Sequence, residues 1–265
     1  MLPLSHTSPG RPAAFFDLDK TVIAGSSSLA LSKAFYADGL LTRAGALRGL
    51  YAQLGYLSFG ADHDQTERMK DRLARVSLGW DAARTEAVAA AAVDTHVRPV
   101  VYQEALELIA GHRAAGEDVV VVSASSEAVV RPIGELLGAD HVIATRPVVT
   151  DGRFTDQLEF YAYGPTKATA IQELARERGY DLAASHAYSD SVTDLPMLEA
   201  VGNPVAVNPD RALRRHAIAR GWQVRDFSRP VPVRPPRRPR ALVAGAAGAV
   251  LLAALAWRAG RRKAR

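Results

Sequence analysis

The most constraining feature of the sequence is a short apolar run, Ala13 to Phe16, that leads directly into Asp17 and Asp19, with Thr21 two positions later. Four consecutive apolar residues predict a strand that is buried on both faces. A buried strand that ends in two carboxylates concentrates negative charge at a sheet edge, and such charge needs a cation nearby. Mg²⁺ prefers a few carboxylate oxygens and retained waters, so the pattern predicts a magnesium site. A strand followed by an ordinary aspartate-containing turn is the alternative for this stretch alone.

Length and composition predict a globular α/β protein. The chain has 265 residues, of which 48% are hydrophobic, and this is ample for a large core. It contains no cysteine, which excludes disulfides, thiolate metal sites and a cysteine nucleophile. Residues 1–12 contain no apolar run after a basic start. We therefore expect no secretory signal and a cytoplasmic catalytic part.

The formal net charge of +5 arises in the C-terminal tail. From Arg229 onward there are ten Lys or Arg residues and no acidic residue, which leaves 23 basic against 28 acidic residues in residues 1–228. Nucleic-acid binding would require a basic stripe with interleaved aromatic residues on this acidic body, and the sequence has none there. We expect no nucleic-acid partner.

A long segment of helix-forming residues follows Thr21 and reaches Val97. Its large apolar residues recur mostly at spacings of three and four, with Gly39 and Gly60 as breaks. We predict a helical insert over residues 24–97, whose second half forms helices over 64–78 and 81–96. The flanking residues, 13–23 and 98–228, are predicted to form the core domain.

From Val100 the pattern alternates between helices and strands, as in a parallel sheet with crossover helices. A helix is predicted over residues 102–115, and the four valines at 119–122 predict a strand buried on both faces. Ser123 follows this strand, level with Asp17 if the two strands are parallel neighbours, so its hydroxyl could hold a phosphoryl oxygen. Ser125 or Ser126 is expected to cap the next helix. Further strands are predicted over 139–147, 184–189, 204–207 and 222–224, with a hairpin over 148–160 that turns at Asp151-Gly152.

Three more charged residues stand at element ends. Lys167 lies in the first turn of a predicted helix, where the dipole disfavours a cation. A nearby anion explains this position, and a surface lysine is the alternative. Asp190 follows the predicted strand 184–189 with no local role. Asp194 precedes Pro196, so a simple helix cap is the alternative to a site residue.

These groups place Asp17 with Asp19, Ser123 and Asp190 at the carboxyl ends of parallel strands, where doubly wound sheets collect functional residues. The chain resembles the haloacid dehalogenase-like (HAD) superfamily, in particular its phosphoserine phosphatase-like branch (subfamily IB), over about residues 13–227. The family pattern of D-x-D-x-T, then Ser or Thr, then Lys, then D-x-x-x-D matches seven positions: Asp17, Asp19, Thr21, Ser123, Lys167, Asp190 and Asp194. The resemblance implies a doubly wound, Rossmann-like α/β core with a helical cap inserted after the first strand.

The resemblance also implies the chemistry. Asp17 is implied to be the nucleophile that takes the phosphoryl group, and Asp19 the acid that protonates the leaving oxygen and then activates water. Thr21, Ser123 and Lys167 are implied to bind the phosphate. The implied activity is Mg²⁺-dependent hydrolysis of a phosphomonoester, either a small phosphorylated metabolite or a lipid phosphate.

The implied metal site is built from the same motifs. Mg²⁺ would be held by Asp17, the backbone carbonyl of Asp19 and Asp190, and Asp194 would position the waters of the metal.

The substrate departs from the family pattern. Phosphoserine phosphatases carry a glutamate shortly after the first motif that meets the substrate ammonium, but no acidic residue lies between Lys20 and Asp38 here. An unpaired ammonium buried under a cap would cost several kcal/mol, so we do not expect phosphoserine to be preferred. The alternatives are a phosphoserine phosphatase proper, a phosphotransferase with the same intermediate and, in another class, a non-catalytic membrane-tethered scaffold.

The C-terminal tail predicts a membrane anchor. Residues 229–240 are rich in proline and arginine and read as a stiff linker. Residues 241–257 carry no charge, and residues 258–265 are basic. At 1.5 Å per residue the uncharged segment reaches about 25 Å, the short end of what spans a hydrocarbon core. We predict a single transmembrane helix over 241–257 and a protein at the cell membrane with a cytoplasmic catalytic domain; both flanks are basic, so the orientation of the tail is not set.

Overall fold

The alternating strands and helices of the sequence build one sheet with helices on both faces. The computed structural model describes residues 10–41 and 74–230. Within them the strands are β1 (Ala13–Asp17), β2 (Asp118–Ser126), β3 (His141–Thr150), β4 (Arg153–Phe160), β5 (His186–Ser189), β6 (Asn203–Val207) and β7 (Gln223–Arg225). They lie in the order β4-β3-β2-β1-β5-β6-β7, and every neighbouring pair is parallel except β3 with β4. The predicted parallel α/β fold is confirmed.

The helices of the described residues connect these strands. They are α1 (Ser27–Ala37), α2 (Ala82–His96), α3 (Gln103–Ala114), α4 (Glu127–Leu137), α5 (Pro165–Arg178), α6 (Leu195–Glu199) and α7 (Arg211–Arg220). Short 3-10 turns at Arg98–Val100 and Val192–Asp194 precede α3 and α6. The helix predicted over 81–96 is present as α2, and Asp81 caps it by accepting a hydrogen bond from the backbone N–H of Arg84.

The central strand β1 is buried on both faces, and its residues alternate between two apolar clusters. Ala14 and Phe16 join the cluster that also contains buried residues of α1 to α4, whereas Ala13 and Phe15 join the cluster with α5 to α7. Both phenylalanines are almost completely buried, which stabilises the fold by about 2 to 3 kcal/mol each. A strand clamped in this way fixes the position of the residue at its end, Asp17.

One predicted strand end differs from the structure, and one predicted turn is confirmed. Strand β2 continues through the serines to Ser126, because β3 runs beside it and Thr145 donates a hydrogen bond to the Ala124 carbonyl. Its register with β3 shifts between Ser123 and Ser126. The predicted hairpin turns at Asp151-Gly152, where both residues have positive φ, as a tight hairpin turn requires.

The membrane prediction concerns residues beyond the described part of the chain. Among residues 10–41 and 74–230, no helix combines the length and the apolar character that crossing a membrane requires. The predicted transmembrane segment 241–257 and basic tail 258–265 lie outside the described residues, as does the stretch 42–73 of the predicted insert. The linker was predicted to begin at Arg229, but Arg229 still packs on the core, because its carbonyl accepts a hydrogen bond from the Gln103 N–H.

Candidate active site

The carboxyl end of β1 turns sharply and brings both motif aspartates to the sheet edge. Asp17 pairs in register with Val122 of β2, so Ser123 lies one position beyond it at the same edge. After Asp17 the chain closes a tight loop in which the Leu18 carbonyl accepts hydrogen bonds from two backbone N–H groups. Lys20 has φ +62°, a left-handed conformation that lets the chain reverse here. This loop holds Asp19 beside Asp17.

A buried charge network joins Asp17, Lys167 and Asp194. The Lys167 Nζ donates hydrogen bonds to Asp17 Oδ1 at 2.7 Å and to Asp194 Oδ2 at 2.9 Å. All three side chains are less than a tenth exposed, which excludes the surface-lysine alternative for Lys167. Asp194 occupies the cap position of α6 but makes no capping hydrogen bond with its side chain, and its carboxylate accepts instead from Lys167 and Ser189. The simple helix-cap alternative for Asp194 is wrong.

The network carries more negative charge than its cations balance. Burial raises the pKa of Asp17 well above its ordinary value, and Asp194 and Asp190 add to this rise while Lys167 opposes it. Burial by itself would lower the pKa of Lys167, but the attraction of Asp17 and Asp194 outweighs it, so the ammonium stays charged. Burial also raises the pKa of Asp190 to about 7, against the attraction of Lys20.

Serine side chains and a helix start orient Asp19. The Ser27 N–H, at the first residue of α1, donates to Asp19 Oδ1 at 2.7 Å, and the Ser125 hydroxyl donates to Asp19 Oδ2 at 3.4 Å. The first N–H groups of a helix have no partner within it, so they are free to bind a carboxylate. Burial raises the pKa of Asp19, and the hydrogen bonds from Ser27 oppose that rise.

Several of these contacts were not predicted from the sequence. Ser27 lies in a run of small residues and Ser189 at the end of a strand, and neither position by itself indicates a contact with a motif aspartate. Ser125 or Ser126 was expected to cap α4; Ser126 stands at the cap position, but its side chain makes no capping hydrogen bond, and Ser125 faces Asp19 instead. The available signal was spacing, since Ser125 lies two residues beyond Ser123 on an extended strand and so points to the same side.

The predicted phosphate-binding residues include two buried hydroxyls. Thr21 is completely buried, and within the described residues its Oγ1 has no hydrogen-bond partner. Leaving such a group unsatisfied costs about 1 to 3 kcal/mol, so a bound oxygen would relieve it. Ser123 is also buried, and its Oγ accepts a hydrogen bond from the Ser125 N–H at 3.2 Å, which leaves its own proton for another acceptor.

The donor set fits a hard divalent cation. Asp17, Asp190 and Asp194 offer oxygens only, which is the ligand type that Mg²⁺ prefers. The raised pKa values of Asp17 and Asp190 arise from burial and from the mutual repulsion of carboxylates, and an added cation would relieve both. Asp190 follows β5 at the same sheet edge, and its carbonyl accepts from the Asp210 N–H.

Comparison with known proteins identifies a family and several relatives. Residues 14–199 match the model of the family described as haloacid dehalogenase-like hydrolase. A Streptomyces azureus protein named "Inhibition of morphological differentiation protein" is 54% identical over 269 residues, covering 98% of this chain and 97% of its own length. In Mycobacterium tuberculosis H37Rv, a protein named as a probable phosphatase is 54% identical over 86% of this chain and 80% of its own.

Two further relatives extend the comparison. The M. tuberculosis H37Rv protein named phosphoserine phosphatase SerB1 is 35% identical over 93% of this chain and 80% of its own. A crystal structure of a protein of unknown function from Bordetella pertussis Tohama I superposes with a TM-score of 0.72 at 30% identity, covering 82% of this chain and 99% of that one. The chain therefore belongs to the haloacid dehalogenase-like hydrolase family, which confirms the family and the enzyme class predicted from its sequence.

Proposed function

We propose that the chain is a Mg²⁺-dependent phosphomonoesterase that transfers the phosphoryl group first to Asp17 and then to water. The observation that carries this proposal is the buried Asp17 carboxylate, held 2.7 Å from the Lys167 ammonium at the end of the central strand, with Asp19 two residues further on. A carboxylate fixed in this way is a suitable nucleophile toward phosphorus. The names of the relatives support a phosphatase.

In the first half-reaction an Asp17 oxygen forms a bond to phosphorus while the bond from phosphorus to the ester oxygen breaks. Asp19 donates its proton to the departing oxygen, which leaves as an alcohol. Burial raises the pKa of Asp19, so its carboxyl group carries this proton more readily than an exposed aspartate would. The hydroxyls of Thr21 and Ser123 and the ammonium of Lys167 stabilise charge on the transferring phosphoryl group.

In the second half-reaction Asp19, now ionised, accepts a proton from a water molecule. The water oxygen bonds to phosphorus and the bond to the Asp17 oxygen breaks, so inorganic phosphate leaves and the Asp17 carboxylate is restored. Ser27 and Ser125 keep the two Asp19 oxygens in one orientation, so the same carboxyl group serves both proton transfers.

Mg²⁺ would be held by Asp17, the backbone carbonyl of Asp19 and Asp190. When bound, it supplies positive charge that lets Asp17 approach an anionic ester. Asp194 would not bind the metal directly, because its carboxylate already accepts hydrogen bonds from Lys167 and Ser189. Lys167 is thereby fixed between two carboxylates and cannot swing away from the phosphate position.

We propose a substrate other than phosphoserine. The first turn of α1, which touches Asp19, presents the hydroxyls of Ser27 and Ser28 and no carboxylate to meet an ammonium group. A phosphate on a lipid, such as a lysophospholipid, suits a membrane-attached enzyme. Hydrolysis of phosphoserine is the alternative, because the chain is 35% identical to a protein named phosphoserine phosphatase. A panel of phosphate esters assayed for released phosphate decides, and phosphoserine as the clear best substrate would overturn this choice.

The proposed membrane attachment rests on the sequence of residues 241–257. We expect full-length protein to stay with membranes through a salt or carbonate wash, since an inserted helix is not held by charge alone. Because Arg229 packs on the core, the matched soluble variant should end after Pro230. Full-length protein in the soluble fraction would refute the anchor, and with it the localisation at the cell membrane.

A generic aryl phosphate tests the enzyme class directly. We expect Mg²⁺-dependent release of phosphate that EDTA abolishes and added Mg²⁺ restores. A catalytically dead scaffold would show no EDTA-sensitive turnover. The scaffold is not favoured, because a non-catalytic protein has no need for a buried Asp17 beside a buried lysine, with Asp19 two residues further on.

A further inference from the structure

A second cluster of ionisable side chains lies at the opposite edge of the sheet. His112 comes from the last turn of α3, Glu117 from the loop before β2, and His186 from the first position of β5. His186 pairs with Ala14 near the amino end of β1, whereas Asp17 stands at the carboxyl end of the same strand. The two clusters therefore lie at opposite ends of the parallel strands. None of these three residues takes part in the proposed phosphatase chemistry.

The atoms of this cluster converge on one point. Glu117 Oε2 lies 2.6 Å from His112 Nδ1 and 3.8 Å from His186 Nδ1. One ligand atom from each of the three residues lies within 4.8 Å of the other two, and in the described part of the chain no other group of three His, Cys, Asp or Glu residues meets that distance. Ligands of one tetrahedral Zn²⁺ lie about 3.3 Å apart, since each sits roughly 2.0 to 2.1 Å from the metal.

We infer that His112, Glu117 and His186 form a binding site for a divalent transition metal such as Zn²⁺, separate from the magnesium site proposed at the carboxyl edge. Two imidazoles and one carboxylate are the ligands that Zn²⁺ takes in proteins, with a water in the fourth position. A metal at the centre requires the His112–Glu117 contact of 2.6 Å to open by about 0.7 Å and the Glu117–His186 contact of 3.8 Å to close by about 0.5 Å. The separation of the two histidine nitrogens, up to 4.8 Å, must close by up to about 1.5 Å.

The surroundings of the cluster favour ligation. The Nδ1 atom of His186 is buried and has no hydrogen-bond partner within the described residues, so its lone pair is unused. His112 Nε2 lies 2.7 Å from the Tyr188 hydroxyl, and a ligating histidine characteristically donates its other ring N–H to such an outer partner. Burial lowers the pKa of His186, so the ring is neutral at pH 7, which is the form that binds a metal.

The cluster has one opposing charge. Arg225 lowers the pKa of His186 by repulsion, so it also disfavours a cation there. A single carboxylate and a nearby guanidinium predict a site of micromolar affinity and not the far tighter binding of a closed structural zinc site. Because His112 and Glu117 belong to the α3–β2 connection and His186 lies far from them in sequence at the start of β5, a bound metal would tie that connection to β5.

The test is Zn²⁺ binding to untagged full-length protein, measured by calorimetry in millimolar Mg²⁺ so that the oxygen-only site is occupied. We expect one Zn²⁺ per chain with micromolar affinity and a rise in melting temperature of about 5 °C at saturating Zn²⁺. His186→Gln should weaken binding at least tenfold with little change in metal-free stability, because its Nδ1 makes no hydrogen bond. With Co²⁺ as the probe, the visible absorption of the wild type should be lost in His186→Gln.

His216→Gln is the matched control. Among the described residues, His216 Nε2 is also buried and makes no hydrogen bond. It lies 3.4 Å from a Glu199 carboxylate oxygen, but the described residues place no second histidine beside this pair. We expect this variant to bind Zn²⁺ as the wild type does. Equal Zn²⁺ affinity in wild type and His186→Gln, or no micromolar binding by the wild type, would overturn the inference. Hydrolysis of an aryl phosphate is measured separately, so failure of the zinc site leaves the proposed phosphatase untouched.

Discussion

The two edges of the sheet hold charged clusters of different design. At the carboxyl edge, the ammonium of Lys167 is buried between Asp17 and Asp194 and contacts both carboxylates. At the amino edge, Glu117 meets His112 and His186, two groups that need not be charged. The first cluster has its own cation and still repels its extra carboxylates, whereas the second has ligand atoms and no fixed cation within it.

The charge of the groups in each cluster distinguishes a catalytic site from a metal-binding site. Burying a lysine between carboxylates costs desolvation free energy, which only their mutual attraction or a bound anionic substrate can offset. Such a network therefore indicates a site that acts on an anion. Neutral imidazoles beside one carboxylate carry little net charge and gain most from binding a cation.

The largest expected effect comes from removing the nucleophile. Asp17→Asn should lower kcat by roughly a thousandfold or more, because an amide cannot accept the phosphoryl group. The fold should remain intact, since the substitution keeps the volume and Lys167 retains Asp194 as its partner. Steady-state turnover of an aryl phosphate and circular dichroism measure the two effects.

Asp140→Asn is the control at the other edge. Asp140 precedes β3 and accepts a hydrogen bond from the Val119 N–H, which the asparagine oxygen can also accept. Its turnover should match the wild type. Activity of Asp17→Asn within tenfold of the wild type would show that no covalent intermediate forms on Asp17.

The carboxyl edge was predictable because each of its charged residues follows a recognisable element. Asp17 comes directly after an apolar run and Asp190 directly after a predicted strand, and parallel strands bring their carboxyl ends to one edge. Lys167 stands at a helix start, where a cation is unfavourable without an anion. The pattern therefore predicted the elements and which charged residues come together at this edge.

Other parts had no local signal. Ser27 uses its backbone N–H, which any residue would offer, and its value depends on where α1 begins. His112, Glu117 and His186 come from a helix end, a loop and a strand start, so they meet only because β2 and β5 both pair with β1 and α3 packs beside them. Sequence spacing shows neither, because both depend on the assembled sheet.

The next largest effect concerns the buried cation. Lys167→Met should destabilise the protein by about 3 kcal/mol, because it leaves Asp17 and Asp194 buried without their ammonium. It should also lower turnover by roughly a hundredfold, since charge on the phosphoryl oxygens loses its partner. Urea unfolding and aryl phosphate turnover measure these losses. Lys33→Met, at an exposed position of α1, should change neither, and a Lys167→Met protein as stable as Lys33→Met would mean that the network contributes nothing to folding.

A moderate effect is expected from pH. Asp190 has a folded-state pKa of about 7, above the ordinary value near 3.9, so between about pH 4 and 7 the folded protein holds more protons there than the unfolded chain. Metal-free stability should therefore fall with rising pH across this window by about 2 kcal/mol more in the wild type than in Asp190→Asn, allowing for solvent screening. Thermal unfolding at several pH values measures it. Millimolar Mg²⁺ should reduce the difference, and an identical slope in both proteins would contradict the raised pKa.

The smallest effect is expected from a neutral group at the carboxyl edge, the hydroxyl of Ser125, whose contribution to turnover can be compared with that of the charged residues. Ser125→Ala removes a hydroxyl that lies 3.4 Å from Asp19 and 3.0 Å from the Ser27 hydroxyl. At that length the hydrogen bond is weak, so kcat should fall only about threefold. The lost donor also helps to lower the pKa of Asp19, so the pKa of the catalytic acid in the kcat profile should rise slightly. Ser126→Ala removes a neighbouring buried hydroxyl without a hydrogen-bond partner in the described residues and should leave kcat unchanged. A larger loss of kcat in Ser126→Ala than in Ser125→Ala would indicate that these serine hydroxyls contact the phosphate ester and not Asp19.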